Sequence, residues 1–182
     1  FQVKTIEVLP IQRVLLSEIS NSFLVFTPQW LYDGYLAEGS WKETLETTVN
    51  GEAIVVKRNK EAETNFKKQL EALHPNFPKQ LNGYYHISFA EAEKKQWFLK
   101  VYHQLLEMNI ELVGIDMLTH FRYSAHKPVT TIAVLEKDSS ILTVSFKLQF
   151  GEEAIPLAEL QKILIAGQRA AMLKDGALGV FP

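Results

Sequence analysis

Residues 141–182 read ILTVSFKLQFGEEAIPLAELQKILIAGQRAAMLKDGALGVFP, and this stretch decides how the second half of the chain folds. Its alternating apolar start predicts a strand followed by a tight turn. Pro156 fits the first turn of a helix, where its missing N–H costs little, and Gly167 suits the helix C-terminus. Asp175-Gly176 then predicts the turn of a terminal hairpin. The order is therefore strand, helix, hairpin.

The residues before this stretch supply further strands. Residues 110–115 (IELVGI) alternate in polarity, and residues 129–135 predict a strand joined to strand 141–150 through a connection at residues 137–140. We therefore predict a second domain over residues 110–182, made of β-strands, one helix and the terminal hairpin.

Two hairpins are predicted near the start of the chain. Residues 22–27 and 30–37 are rich in aromatic and aliphatic side chains and flank Pro28, which indicates a hairpin with a proline-containing connection. Asn50-Gly51 favours a type I′ turn between the next two strands, because both central residues of that turn need a positive φ.

Two helices are predicted in the first half of the chain. Asn59 stands at the N-cap position of a helix. Ser88 and Glu91 form a capping box that predicts one long helix ending at Asn109. We predict a first α+β domain over residues 1–109, with two hairpins and two helices. The whole chain is predicted to be α+β, with antiparallel sheets, hairpins and three main helices, because no regular βαβ alternation is present.

Composition excludes several kinds of function. The 182 residues contain no Cys, so disulfides, thiolate metal sites and cysteine nucleophiles are excluded. The net charge is −2, with 12 Lys and Arg against 13 Asp and Glu before residue 109 and 7 against 8 from there on. Tight non-specific DNA binding requires several neutralised phosphates, so neither half is expected to be a principal DNA clamp.

We expect a cytoplasmic protein without a membrane partner. No apolar run approaches the roughly 20 residues that cross a bilayer, and residues 1–10 lack the pattern of a signal peptide. Because the chain begins at Phe1 and ends just after a hairpin, we also expect it to be a fragment of a longer polypeptide.

The sequence contains no motif that predicts a catalytic, cofactor-binding or metal-binding residue. No phosphate-cradling glycine loop occurs, and no histidine pair has H-E-x-x-H spacing. The acidic pairs are adjacent or nearly so and are expected to share one exposed environment, unlike a working acid–base pair. The basic cluster Lys57-Arg58-Lys60 sits beside glutamates and is interpreted as a solvated helix face.

Two groups of residues are candidate contact sites. Arg122, Tyr123 and Lys127 mix cationic and aromatic side chains and could touch a nucleic-acid backbone and stack on a base, or form a loop that packs its aromatics inward. The second group is aromatic and forms either a core or cross-strand ladder, or an exposed interaction patch. Its members are Trp30, Tyr32, Tyr35 and Trp41.

Three stretches resemble the region upstream of the motor in bacterial Swi/Snf-family helicases. They are FLVFTPQWLYDGYLAE, VVKRNKEAETNFKKQLEALHPNF and the segment from TVSFKLQFG to the C-terminus. The last resembles the helicase-associated module of the family, in which a strand ends in Phe-Gly, a Leu-rich helix follows, and a turn leads into L-x-D-G-x-x-G. The matching residues are Leu173, Asp175, Gly176 and Gly179.

This resemblance implies a non-catalytic accessory domain placed before the first motor lobe of an ATP-dependent DNA translocase. ATP and Mg²⁺ are expected in the downstream motor, because its nucleotide motifs do not occur in this chain. The implied partners are the motor itself, other proteins, and DNA bound weakly. The alternatives are a weak DNA-binding module of the same helicase and an unrelated small-molecule-binding domain with a pocket near Trp30 and Tyr35.

Overall fold

The computed structural model describes residues 2–124, 126–138 and 141–182, and the chain divides into two compact units, Phe1–Leu118 and Thr119–Pro182. The predicted α+β class is confirmed, because helices and mostly antiparallel sheets occur together.

The first unit combines two sheets with three α-helices in its described part. In chain order its elements are β1 (Val3–Ile6), β2 (Ile11–Ile19), β3 (Phe23–Tyr32), β4 (Tyr35–Ala37), β5 (Thr44–Val49), β6 (Glu52–Lys57), α1 (Lys60–Glu71), β7 (Tyr85–Ser88), α2 (Phe89–Glu93), α3 (Trp97–Glu107) and β8 (Glu111–Val113). The larger sheet has the order β4-β3-β2-β8, and β7 also pairs with β3.

The predicted hairpin around Pro28 is wrong, because β3 runs through Pro28 as one strand. One edge of β3 pairs with β2 along nearly its whole length. On its other edge, β7 pairs with residues 23–26 and β4 with residues 30–32, so Pro28 falls between the two pairings. A residue without an N–H is best tolerated at such a gap. The turn lies instead at Asp33-Gly34, where both φ angles are positive.

The hairpin at Asn50-Gly51 is confirmed. Asn50 and Gly51 have φ angles of 51° and 78° and join β5 to β6. On the other side of β6, β1 adds a parallel strand, which gives the sheet order β1-β6-β5. Asn59 then caps α1, as predicted, since its Oδ1 accepts a hydrogen bond of 3.0 Å from the backbone N–H of Ala62.

The predicted long helix from Ser88 to Asn109 is wrong, although its cap is confirmed. Ser88 Oγ accepts from the N–H of Glu91 at 3.2 Å, but the helix breaks after α2 and resumes as α3. Phe89 and Phe98 are both buried. On one straight helix they would lie about 180° apart at 3.6 residues per turn, so the break lets both aromatic rings enter the core.

An aromatic cluster fills the core of the first unit. The ring of Phe26 lies 5.6 to 6.0 Å, centroid to centroid, from the rings of Phe77, Trp97 and Phe98. Trp30 meets Phe66 edge-on at 6.1 Å. Such offset and edge-on pairs add to the stabilisation that comes from burying the rings.

The boundary between the units falls after Leu118, nine residues beyond the predicted boundary at Asn109. The reason is β8, which pairs parallel with β2 and therefore belongs to the first unit. Gly114 follows β8 with a φ of 88°, and a Cβ there would lie 2.2 Å from the carbonyl oxygen of Leu16. Only glycine allows the backbone to pass so close to β2.

The second unit follows the order that the sequence predicts, with one short strand added. Its elements are β9 (Pro128–Asp138), β10 (Ile141–Phe150), β11 (Glu153–Ile155), α4 (Leu157–Ile165), β12 (Ala170–Met172) and β13 (Leu178–Val180). The short strand β11, between β10 and α4, is not predicted from the sequence. The sheet order is β11-β10-β9, and β12 pairs antiparallel with β13. Of the predicted connection at residues 137–140, Ser139 and Ser140 lie outside the described residues.

Helix α4 ends at the predicted glycine. Gly167 has a φ of 72°, its N–H donates to the carbonyl of Leu164, and the N–H of Gln168 donates to that of Ile163. These two bonds form a Schellman cap. With α1 and α3, α4 completes the three main helices, each of nine residues or more within the described residues.

Candidate functional site

Arg122 and Tyr123 lie against the terminal hairpin of the second unit. The carbonyl of Arg122 accepts from the N–H of Leu178 and the N–H of Ser124 donates to the carbonyl of Leu178, both at 2.7 Å. Tyr123 thereby forms a parallel bridge with Leu178, and its half-buried ring meets Phe121 edge-on. Tyr123 is therefore partly packed against its own unit.

The cationic members of the segment stay accessible. The Arg122 guanidinium is exposed and donates one hydrogen bond of 2.8 Å to the carbonyl of Asp175. Lys127 is exposed directly before β9. The structure therefore joins Arg122 to the hairpin turn and leaves both cations open to solvent.

Every residue of the L-x-D-G-x-x-G pattern has a structural task in the terminal hairpin. Leu173 is buried in the core of the second unit. Asp175 Oδ1 accepts from the N–H of Ala177 at 2.9 Å, and Gly176 has a φ of 84°. A Cβ on Gly179 would lie 2.8 Å from the Phe150 ring. The pattern therefore encodes a turn and a close approach of backbone to an aromatic ring.

The four predicted aromatics do not form one exposed patch. Trp30 and Tyr32 are fully buried in the first unit, so they belong to the core, and the prediction of an exposed patch is wrong for them. Tyr35 is half-buried opposite Tyr32 on β4, and Trp41 is 38% exposed. Because the Trp30 ring is closed off from solvent, it cannot line an open small-molecule pocket.

A buried ionic network lies where the sequence predicts a solvated basic face. The Arg58 guanidinium donates to both carboxylate oxygens of Glu63, at 2.6 and 3.0 Å, and both side chains are almost fully buried. The Tyr32 hydroxyl donates to Glu63 at 2.6 Å and accepts from the N–H of Asn59 at 2.8 Å. Arg58 also stacks on the Trp41 ring, 5.0 Å from its centroid. The prediction of a solvated face is therefore wrong for Arg58.

The network ties β3, the residues before α1, and α1 itself to one another. A bidentate, hydrogen-bonded ion pair satisfies both buried charges, which would otherwise be costly. Burial raises the pKa of Tyr32 well above its usual range, and its hydrogen bond to Glu63 adds to that rise. The five-residue spacing from Arg58 to Glu63 spans a helix N-cap and gives no periodic signal, so sequence reasoning missed the pair.

The second unit exposes an apolar surface on its long hairpin. On one face of β10, Leu148 and Phe150 are buried, whereas Val144 and Phe146 are 60% and 38% exposed. The β9 residues directly opposite the exposed pair are also apolar and exposed. We call these four residues the uncovered hairpin face: Ile132, Val134, Val144 and Phe146.

The uncovered hairpin face continues the core of the second unit. Side chains two residues apart on a strand share a face, so Val144 and Phe146 prolong the row of Leu148 and Phe150. Phe146 lies opposite Ile132, and Val144 opposite Val134. The sequence alternation predicts the strands but could not show where along them the core ends.

Within residues 2–124, 126–138 and 141–182, no three His, Asp or Glu side chains come together to hold a metal ion. No helix in these same residues is long and apolar enough to span a bilayer.

Comparison with models of known protein families, with curated proteins and with solved structures found no match to this chain.

Proposed function

We propose that this chain is a non-catalytic accessory module of a bacterial Swi/Snf-type ATP-dependent DNA translocase. In this proposal the second unit docks on the motor domain of the same translocase through the uncovered hairpin face. The chain itself supplies no nucleotide chemistry, and ATP and Mg²⁺ bind in the motor.

The terminal hairpin is the observation that carries the proposal. The pattern that resembles the helicase-associated module is built into the fold, since Asp175, Gly176 and Gly179 each have a geometric task there. The strand, helix and hairpin of the resemblance also occur in the same order within one compact unit.

The chemistry of the uncovered hairpin face favours a protein as its occupant. Its side chains are branched aliphatic or aromatic, with Ile132 and Val134 at 63% and 60% exposure. A phosphate backbone is recognised by cations and hydrogen-bond donors, which these side chains lack. Apolar surface that continues a core is typical of protein interfaces.

The test uses the full-length translocase with the paired substitution Ile132→Ser and Phe146→Ser. We expect DNA-stimulated ATP hydrolysis to change about fivefold or more, because the module no longer docks on the motor. The matched control is Thr131→Ser with Lys147→Gln, a cross-strand pair on the opposite face of the same hairpin. Equal rates for the wild type and both variants would reject docking through this face.

A second candidate function is weak DNA binding, favoured by the exposed cations of Arg122 and Lys127. It predicts that Arg122→Ala with Lys127→Ala weakens binding of a labelled duplex and lowers the salt slope by about 2, as expected when two phosphate contacts are lost. The charge-matched control is Lys162→Ala with Arg169→Ala, two other exposed cations of the same unit. Equal anisotropy curves for both variants would reject this function.

A further inference from the structure

The break between α2 and α3 has a backbone conformation that L residues rarely adopt. Lys95 and Gln96 have φ angles of 52° and 57°, with ψ angles of 29° and 37°. Two consecutive left-handed residues, neither of them glycine, are kept only where the surrounding structure fixes them, and such sites are frequent around binding sites.

The break changes where three lysines point. On a straight helix, Lys94 and Lys100 would lie about 120° apart around the axis, and Lys95 and Lys100 about 140° apart. Instead, all three line one cavity of about 300 Å³. The complete lining is His74, Glu91, Lys94, Lys95, Trp97 and Lys100.

The wall of this cavity is held in place by packing. Trp97 Nε1 donates a hydrogen bond of 3.1 Å to the carbonyl of Leu73, and its ring meets His74 edge-on at 5.4 Å. His74 Nδ1 accepts from the N–H of Asn76 at 3.1 Å. A ring nitrogen that accepts carries no proton, so a neutral His74 is protonated at Nε2 and offers a donor there.

The charges around the cavity are unbalanced. The lining contains three lysines and one acidic residue, Glu91. Within the part of the chain that the structure describes, Lys94, Lys95 and Lys100 form no ion pair. Bringing like charges to one place is unfavourable unless an anion neutralises them.

From these observations we propose that the cavity binds a phosphate group. The lysines supply charge, His74 supplies a hydrogen-bond donor, and the Trp97 ring forms a fixed wall. The phosphate is that of a small phosphorylated compound or of a nucleic-acid strand, and both present the same anionic oxygens. The site is independent of the docking proposed for the second unit, which concerns other residues.

The experiment titrates the ¹⁵N-labelled chain with pyrophosphate at low ionic strength and follows the indole N–H signal of Trp97. We expect a saturable shift of this signal. The variant Lys94→Gln, Lys95→Gln, Lys100→Gln should bind pyrophosphate about tenfold more weakly or worse, since three charge-assisted contacts are lost. These lysines are exposed, so the variant should keep its fold.

A charge-matched control separates a site from a general effect of charge. The variant Lys42→Gln, Lys60→Gln, Lys68→Gln removes three exposed lysines of the same unit that do not line the cavity. It should bind pyrophosphate within about twofold of the wild type, because distant exposed charges are screened. Equal losses in both variants, or no saturable shift in the wild type, would overturn the proposed site.

A second titration, with a single-stranded oligonucleotide of 12 nucleotides, distinguishes the two sources of phosphate. Binding about tenfold tighter than pyrophosphate, and lost in the cavity variant alone, assigns the site to a nucleic-acid strand. Binding no tighter than pyrophosphate, again lost in the cavity variant alone, assigns it to a small phosphorylated compound. Oligonucleotide binding that survives unchanged in the cavity variant excludes a nucleic-acid strand as the ligand of this site, and the pyrophosphate titration with its control then decides whether the site exists.

Discussion

The two units differ in the size of their cores: among the described residues, the largest fully buried side chains all lie in the first unit. In the first unit Phe26, Trp30, Phe66 and Phe98 have no exposed surface. The second unit buries a small cluster and leaves large apolar side chains in solvent, both on the uncovered hairpin face and on α4. The exposed ones include Ile132, Val134, Val144, Leu157, Leu164 and Ile165.

This difference teaches that the second unit, with its smaller core, has less buried apolar surface to stabilise it. Burying one large apolar side chain stabilises a fold by about 1.5–3 kcal/mol. An apolar side chain that is exposed can instead stabilise a complex when a partner protein covers it. The first unit buries most of its aromatic side chains in its own core, although Phe23, Trp41 and Tyr84 stay exposed. The second unit retains surface that a partner can cover, which is why we place docking there.

The largest expected effect is on the buried Arg58–Glu63 ion pair of the first unit. Replacing Glu63 by Ala leaves the Arg58 charge buried without a partner, so we expect a loss of about 3–5 kcal/mol in the free energy of unfolding. Urea denaturation followed by circular dichroism measures it. Glu61→Gln, an exposed neighbour in the same helix turn, should cost about 0.3–1 kcal/mol.

A double variant tests whether the ion pair adds net stability to the fold or only prevents the cost of one unpaired buried charge. Arg58→Met with Glu63→Leu removes both charges and should be less destabilising than Glu63→Ala alone, because no buried charge remains unpaired. If the double variant is the less stable of the two, the pair contributes net stability, and our account of Arg58 is wrong.

The second prediction compares two phenylalanines on one face of β10. Phe150→Ala should cost about 3–5 kcal/mol, because it empties a packed site against Gly179, whereas Phe146→Ala should cost about 1 kcal/mol or less. Urea denaturation of both variants measures the difference. Equal losses would mean that Phe146 is as well packed as Phe150, and the contrast between buried and uncovered parts of this strand would fail.

Much of this fold could be predicted from local sequence, because its signals are local. The Asn50-Gly51 turn, the Asn59 cap and the Gly167 cap each depend on a few adjacent residues, and each is confirmed. The break at Lys95 and Gln96 could not be predicted from local sequence. It occurs because the rings of Phe89 and Phe98 both enter the core, which one straight helix would not allow.

The candidate sites were harder to predict than the fold. The Arg58–Glu63 pair depends on Tyr32, which is 31 residues away from Glu63 in sequence. Burial that is decided by such long-range packing leaves no periodic trace. The uncovered hairpin face has the same apolar alternation as its buried continuation, so only three-dimensional structure separates the exposed Phe146 from the buried Phe150.

The third prediction concerns alkaline pH. Burial, together with a hydrogen bond to Glu71, raises the pKa of the Tyr85 hydroxyl above its usual range, and Tyr32 is raised in the same way. The folded state then holds these protons more tightly than the unfolded chain. Their contribution is complete below about pH 10 and is lost above it, by about 1.4 kcal/mol per pH unit for each tyrosine.

The variant Tyr85→Phe isolates one of the two tyrosines. Its free energy of unfolding should fall about 1.4 kcal/mol per pH unit less steeply than that of the wild type above pH 10, with equal slopes between pH 7 and 9. Chemical denaturation at several pH values measures both slopes. Parallel curves above pH 10 would show that the Tyr85 hydroxyl ionises equally easily in both states.

The smallest expected effect is the loss of the Asn59 helix cap, which lies beside the ionic network. Asn59→Ala removes the oxygen that accepts from Ala62 but keeps the backbone N–H that donates to Tyr32, so we expect a loss of only about 1 kcal/mol. Asn59→Ser should recover most of this loss, because serine is an equally good cap.

The matched control, Asn65→Ala, lies exposed within α1 and should stabilise the chain by about 0.5 kcal/mol, as alanine is the better helix former. Urea denaturation measures all three. A loss of about 3 kcal/mol or more in Asn59→Ala would show that the Asn59 side chain also holds the Arg58–Glu63 pair in place. The helix cap and the ionic network would then be energetically coupled.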